Sequence, residues 1–212
     1  MGYIWLMVNT EGSRVISQVY SARKNLKLCL SSRQLSILLG SILGDAYVYP
    51  LGKVCFEHSS HQKDYLIWKY DELKSLTYPK VACVKRFDKR TGKQTVSWRF
   101  FLKQYFRPLR KLFYIDGKKV VPKDLKRWLS PLLLAVWYMD DGHLDRGKYP
   151  LFSTESFSKA DVKFLSDILK TNFGLISKVT SKRRLRILSQ SKDRFFQLIE
   201  PYIHNNLKYK LP

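Results

Sequence analysis

Acid is what this chain lacks most: 17 Asp and Glu stand against 39 Lys and Arg, and the basic surplus runs along the whole length. A folded protein with a net charge of +22 repels itself unless it meets a polyanion. That ranks nucleic acid first among partners and an anionic membrane surface second. Cysteine is scarce too. Cys29, Cys55 and Cys83 are odd in number and lack metal-ligand spacing, which excludes a disulfide framework and a zinc site. They read as small buried hydrophobes of a reducing compartment. No run reaches the ~18 consecutive apolar residues of a membrane span. The early "YIWLMV" is too short for a signal-peptide core, and no small-residue cleavage site follows it. The expectation is an intracellular protein with no membrane partner.

What is present can fold. A chain of 212 residues, 45% hydrophobic and 14% aromatic, suffices for one large domain or two small ones with a sizeable core. Residues 1–30 form a basic, mixed lead-in without a readable pattern. The informative stretch is "LLLAVWYMDDGHLD", Leu132–Asp145, a run apolar enough for a buried helix that ends on two aspartates and a glycine. Ser130 offers an N-cap and Pro131 the first helical position. A buried carboxylate without a partner costs several kcal/mol, so the acids need a reason. One reason is local: Asp-Asp-Gly stops a helix, with Gly142 in the left-handed conformation. The other is a ligand.

A second stretch, "SSRQLSILLGSILGDAYVYP", has the same construction. Ser31 and Gln34 stand at capping-box spacing, an apolar run follows, and the helix stops at Asp45. Gly40 and Gly44 lie one turn apart on one face, where another backbone can approach closely. Laying Asp45 over Asp141 aligns "LLGSILGDA" with "LAVWYMDDG", an offset of nearly half the chain. The sequel also matches. After Asp45 come a strand (53–59), a helix (62–76), two alternating strands (81–88 and 95–103) turning at Thr91-Gly92-Lys93, and a helix (104–114). After Asp141 come a strand (149–156) and a helix from Ser158, capped by Asp161 and stopped by Gly174. Two strands (175–180 and 184–190) turn at Ser181-Lys182-Arg183, and a last helix starts near Lys192. The order helix, strand, helix, strand, strand, helix occurs twice. Two carboxylates brought to one point by packed helices repel unless a divalent cation lies between them, which favours the ligand.

The paired motifs resemble the LAGLIDADG homing endonucleases in their single-chain, two-repeat form. The nine positions read Leu38–Ala46 in the first copy and Leu134–Gly142 in the second. The likeness runs from about residue 31 to the end. Ile42–Tyr47, Trp137–Gly142, "KKVVP" at Lys118–Pro122 and "YKLP" at Tyr209–Pro212 are similar to the branch that includes the endonuclease of the yeast mitochondrial omega intron. Val136 and Asp140 replace the two glycines expected in the second helix, so packing there must be looser or asymmetric. Met139 replaces a frequent acid.

The resemblance implies an α+β fold: two pseudo-symmetric αββαββα repeats forming a DNA-binding saddle of antiparallel sheets. It divides the chain into an N-terminal extension (1–30), repeat 1 (31–118) and repeat 2 (119–212). It implies a monomeric, site-specific double-strand DNA endonuclease that cuts a long, asymmetric target across the minor groove and leaves short 3′ overhangs. The alternative is an intron-encoded RNA maturase on the same fold, with intron RNA as partner, alone or alongside cleavage. A regulator that has lost cleavage is disfavoured because both acids are present. The setting implied is organellar, mitochondrion or plastid, with a microbial cytoplasm as the other home.

Asp45 and Asp141 are then the metal-binding carboxylates, holding Mg²⁺ or Mn²⁺. The main-chain carbonyls of Gly44 and Asp140, at unsatisfied helix ends, are further ligands, whereas the Asp140 carboxylate reads as solvated or structural. Lys119 and Lys210 match lysines that flank the active site in the omega-intron relative, where a positive charge stabilises developing negative charge or orients water. Near a DNA-facing cleft, either lysine is expected to contribute little to the core. Recognition falls to the alternating strands. Arg99 and Lys103 alternate with Trp98, Phe100 and Leu102, while Arg184, Arg186, Leu188 and Gln190 share one side of the last strand. Arg and Lys read guanine and Gln reads adenine in a major groove. Lys85, Arg86, Lys89, Arg90 and Lys93 around the first hairpin, and Lys182 and Arg183 at the second, are expected at phosphates, with Lys53 a further DNA-binding residue. His58, His61, His143 and His204 lack zinc spacing and read as surface or DNA-contact residues.

Overall fold

A computed structural model describes residues 30–212 and, ahead of them, the backbone of three strands, Trp5–Val8 (β1), Val15–Ser21 (β2) and Lys24–Leu28 (β3). These pair in the order β1-β2-β3. The rest of residues 1–29, with Cys29, lies outside the described residues. From Ser32 the chain runs α1 (Ser32–Leu43), β4 (Tyr47–Val48), β5 (Val54–Ser59), α2 (Lys63–Glu72), β6 (Ala82–Asp88), β7 (Lys93–Leu102) and α3 (Arg107–Phe113). A short ribbon, β8 (Tyr114–Ile115) with β9 (Lys118–Lys119), and α4 (Leu125–Trp128) follow. Then come α5 (Pro131–Asp141), β10 (Gly142–Asp145), β11 (Tyr149–Phe152), α6 (Lys159–Phe173), β12 (Ser177–Val179), β13 (Leu185–Ile187) and α7 (Lys192–Ile199). The αββαββα order occurs twice.

Each copy has one antiparallel four-stranded sheet with the same strand order, β4-β5-β7-β6 in the first and β10-β11-β13-β12 in the second. The sequence pattern shows one strand after each aspartate, and the structure has two. β4 is only two residues long and β10 is "GHLD", so neither carries a readable apolar alternation. The described chain clusters into two compact units. One takes the chain up to Leu38 and Asp45–Arg110; the other takes Leu39–Gly44 and Lys111–Pro212, so the second half of α1 belongs with α5.

In the first unit α2 packs over β5 and β7. Phe56 and Phe100, cross-strand partners, stack at 4.6 Å beneath buried Tyr65 and Leu66. In the second unit Trp137, Tyr138, Phe152 and Phe195 interlock: Trp137 lies 4.2 Å from Phe152, and Tyr138 5.1 Å from Phe195. All four are fully buried, and burial of each such side chain contributes about 1.5–3 kcal/mol.

Both central helices begin as their sequences direct. Ser31 Oγ accepts from the Gln34 N–H, and Gln34 Oε1 accepts from the Ser31 N–H. Ser130 Oγ accepts from the Leu133 N–H, with Pro131 in the first turn. Their packing explains the glycines. A Cβ on Gly40 would lie 2.7 Å from the Leu133 carbonyl oxygen and 2.9 Å from Val136 Cβ, and one on Gly44 would lie 2.9 Å from Asp140 Oδ2. The glycines of α1 thus accommodate the larger side chains that α5 carries at the equivalent positions, and the packing is asymmetric as expected. Gly142 is extended rather than left-handed (φ −88°, ψ 153°) and opens β10. A Cβ there would strike the Tyr138 ring, so close approach and not positive φ requires glycine. α6 matches its reading in full, with a Ser158–Asp161 capping box and a left-handed Gly174.

Candidate active site

The two central helices present their C-terminal carbonyls to lysines. Lys119 Nζ donates to the Gly44 carbonyl at 2.7 Å. Lys210 Nζ donates to the Met139 carbonyl at 2.5 Å and lies 3.4 Å from the Asp140 carbonyl. A helix end carries unpaired carbonyls and a partial negative charge, and an ammonium group satisfies both. The lysines arrive on different elements, Lys119 on β9 and Lys210 at the end of the short 3₁₀ segment Asn205–Lys210. Tyr138 Oη donates to the Lys210 carbonyl at 2.9 Å and ties that segment to α5. Lys210 is buried and Lys119 half-buried. Lys210 therefore belongs to the packed interior, contrary to the expectation that it contributes little there.

Asp45 and Asp141 follow directly on Gly44 and Asp140, the two residues in contact at the helix ends. Asp45 is exposed and Asp141 half-buried; the Asp141 carbonyl accepts the Ser153 N–H at 3.0 Å. Asp140 is half-buried, with its side chain against Gly44. The donors on offer are carboxylate and carbonyl oxygens with the His58 imidazole beside Asp45, a predominantly hard set that fits Mg²⁺ or Mn²⁺. The carbonyls of Gly44 and Asp140 already receive lysine hydrogens, but each carbonyl has a second lone pair.

His58 was misread from sequence. It is buried, not on the surface, with Nδ1 3.6 Å from Asp45 Oδ2 and Nε2 3.1 Å from Lys69 Nζ. Lys69 is itself fully buried, its ammonium 4.4 Å from the Tyr65 ring centroid. The signal was available: His58 shares the inward face of β5 with Val54 and Phe56, and Lys69 stands at helical spacing from Tyr65 and Leu66. His61 is exposed, while His143 and His204 are half-buried. Burial, then the nearby Arg184 charge, lowers the His143 pKa. The cysteine reading holds for buried Cys55, whose thiol burial pushes up to about 11, and fails for exposed Cys83.

The expected DNA-contact residues divide into exposed and tethered groups, with exposed Arg90 also 4.0 Å from Asp88 Oδ2. Lys85, Lys89, Arg90 and Lys93 on the β6–β7 hairpin, and Lys182 at the second turn, are exposed. Lys53 lies over the Phe101 ring at 3.8 Å, Arg99 is 5.4 Å from the same ring, and Lys103 is half-buried. Three arginines are held by acids on other segments: Arg86 by Glu57, Arg184 by Glu155 and Arg186 by Asp145. The Arg86 hydrogen bond lowers the Glu57 pKa. At Glu155, burial pushes upward and is outweighed by the Arg184 hydrogen bond and charge. Arg183 has φ 60° at the turn and donates to the Phe157 carbonyl at 3.3 Å. Gln190 does not share a strand face with Arg184 and Arg186. β13 ends at Ile187, and Ser189–Ser191 turn into a 3₁₀ segment.

Comparison with known proteins agrees with this geometry. Residues 35–195 match the model of the LAGLIDADG DNA endonuclease family. The chain is 30% identical to a cytochrome b mRNA maturase bI2 of Debaryomyces hansenii, over 88% of this chain and 76% of the relative. It is 28% identical to the DNA endonuclease I-ChuI of Chlamydomonas applanata, over 87% of this chain and 96% of that one. The homing endonuclease I-WcaI, solved bound to its DNA recognition sequence, superposes with a TM-score of 0.78 at 26% identity, covering 86% of this chain and 87% of that one. The repeated αββαββα order, the paired helix ends and the family match converge: the chain belongs to the LAGLIDADG DNA endonuclease family.

Proposed function

We propose that this chain is an active homing endonuclease that works as a monomer, cutting both strands of a long, asymmetric DNA site across the minor groove and leaving short 3′ overhangs. The observation that carries the proposal is the meeting of Gly44 and Asp140, which starts Asp45 and Asp141 from neighbouring points of the backbone, each helix end capped by one lysine. Asp45 and Asp141 would hold Mg²⁺ or Mn²⁺, with the Gly44 and Asp140 carbonyls as further ligands. When bound, the metal lowers the pKa of water and stabilises charge on phosphate oxygens. Lys119 and Lys210 hold positive charge at the two helix ends and would offset charge developing on the scissile phosphates. On this reading repeat 1 spans 31–118 and repeat 2 spans 119–212, each lending one acid and one sheet to the site.

The sheets supply recognition. On β7, Phe100 and Leu102 point into the core, so Ser97, Arg99 and Phe101 face the opposite side, with Glu57 and Arg86 beside them. Exposed hairpin lysines take phosphates, while Arg99, Arg184 and Arg186 read bases. The likeness to the omega-intron branch rests on Lys118–Pro122 and Tyr209–Pro212, and the named relatives do not single out that branch. An organellar setting, mitochondrial or plastid, suits an intron-encoded enzyme of this kind. A second reading, intron RNA maturation alone or beside DNA cleavage, is favoured by the similarity to a cytochrome b mRNA maturase.

Selecting cleaved sites from a randomised duplex library tests the proposal. Mg²⁺-dependent recovery of one long site is expected, with specific binding in Ca²⁺ and a log K against log salt slope of several units. No cleaved site, with folded protein and flat salt dependence, would contradict it. Intron RNA binding with spliced product and no DNA cut would support the maturase instead.

A further inference from the structure

We propose that His58 and Lys69 form a positioning pair for Asp45, one without a counterpart residue at the matching place of the second repeat; the inference rests on the endonuclease reading for its consequence, though not for its geometry. Lys69 is fully buried, and its ammonium group donates hydrogen bonds but accepts none. The atom facing it at 3.1 Å, His58 Nε2, must therefore be the acceptor. A neutral imidazole that accepts at Nε2 carries its hydrogen on Nδ1. Nδ1 is the nitrogen that faces Asp45 Oδ2, at 3.6 Å. The buried lysine thus selects the tautomer, and the ring becomes a donor aimed at one carboxylate oxygen. The Tyr65 ring, 4.4 Å from the ammonium and 5.1 Å from the His58 ring, holds both groups in register. At 3.6 Å, just beyond a hydrogen bond, the Nδ1–H biases the carboxylate electrostatically toward one orientation of its oxygens, which a metal ligand needs.

The matching place in the second half carries a different residue. Thr154 stands as far after Asp141 as His58 stands after Asp45, and it too is buried. Its hydroxyl donates to the Arg183 carbonyl at 2.5 Å, so its one hydrogen goes to the hairpin turn and not to an aspartate. The same place in the fold holds a ring directed at the carboxylate in one copy and a turn-closing hydroxyl in the other.

Two measurements test this. In metal-free protein, long-range ¹H–¹⁵N spectra of the His58 ring should show the hydrogen on Nδ1, and Lys69→Met should admit the Nε2–H form. Lys69→Met preserves volume at a buried site and is expected to keep the fold, which thermal melting checks. A hydrogen on Nε2 in the wild type overturns the pair without touching the endonuclease reading. Strand-resolved cleavage of a selected duplex then tests the consequence. His58→Ala and Lys69→Met should slow cleavage of both strands by roughly tenfold or more, since small misplacements of reacting groups cost on the order of 10²-fold. His58→Asn, whose amide can donate near the Nδ1 position, should restore most of the rate, and affinity in Ca²⁺ should hold. If both strands and binding fall together, with Asn no better than Ala, the role is structural and the proposal fails. An unchanged cleavage rate in the His58→Ala enzyme also overturns it, whereas a wild type that never cuts refutes the function and leaves the ring test standing.

Discussion

At the close of α1 the chain reads Gly40, Gly44 and Asp45; at the same places on α5 it reads Val136, Asp140 and Asp141. The backbones are treated alike, each capped by one lysine and each followed by a sheet of the same strand order. The side chains are not. α1 surrenders volume so that α5 can keep Val136 and Asp140, and the caps differ in burial, Lys119 half-buried and Lys210 enclosed under the Tyr138 tether. Backbone geometry at the helix ends is therefore the conserved quantity between the copies, and side-chain bulk is free to move from one helix to the other provided the sum fits.

Breaking the fit should have the largest effect on stability. Gly40→Val would drive two methyls into the Leu133 carbonyl and Val136, at an overpacking cost of about 1–3 kcal/mol or more. At this size each kcal/mol moves Tm by about 2–4 °C. Adding Val136→Gly should recover part of the loss, and a double-mutant cycle on thermal melts would measure the coupling. Strictly additive losses would mean that the two positions do not share one space.

Next come the lysines. Replacing Lys210 by Met leaves buried α5 carbonyls without their donor, costing about 1–3 kcal/mol, while Lys119→Met should cost less because Lys119 is only half-buried. Both should impair one DNA strand more than the other, by about 2–4 kcal/mol in the barrier if each serves one phosphate as an oxyanion donor does. Nicked plasmid ahead of linear product is the signature. Equal stability losses would erase the contrast between the caps.

Much of this centre was legible in advance because it is written as periodicity and punctuation. The capping residues Ser31, Ser130 and Ser158, the small face of α1 and the aspartate ending each apolar run all leave marks in the linear sequence. What stayed hidden depends on pairing across the fold. β4 and β10 are too short or too polar to alternate, and exist because β5 and β11 offer them an edge. His58 reads as a polar residue in a basic chain until the inward face of β5 is known. The acids that hold Arg86, Arg184 and Arg186 lie on other segments, so no local pattern reports them. Gln190 looked like a strand residue because the alternation continues three residues past the point where the strand ends.

Those tethered arginines allow finer tests. Glu57→Gln removes the anion that holds Arg86 and adds one to the net charge, so non-specific DNA affinity should rise and the salt slope should steepen by about one unit. The exposed hairpin lysines, having no such tether, should each lower affinity when removed and reduce the slope by about as much. The smallest effect concerns pH. Glu57 has its pKa lowered by the Arg86 hydrogen bond, so its contribution is fully present above the ordinary carboxylate range and is lost as pH falls through the depressed folded value. Acid melts of the wild type should therefore lose slightly more stability than those of Glu57→Gln. Identical acid limbs would show that the pair is open in solution.

The most direct test of the paired helix ends is single-turnover cleavage of a selected duplex by Asp45→Asn, Asp141→Asn and the double variant, with binding in Ca²⁺ measured alongside. Groups that act as one unit lose their effect together. Each single substitution should stop both strands almost as completely as the double one, with specific binding near that of the wild type. Near-normal cleavage in either single variant, or loss of binding together with cleavage in both, would show that the two aspartates do not form one metal-binding centre.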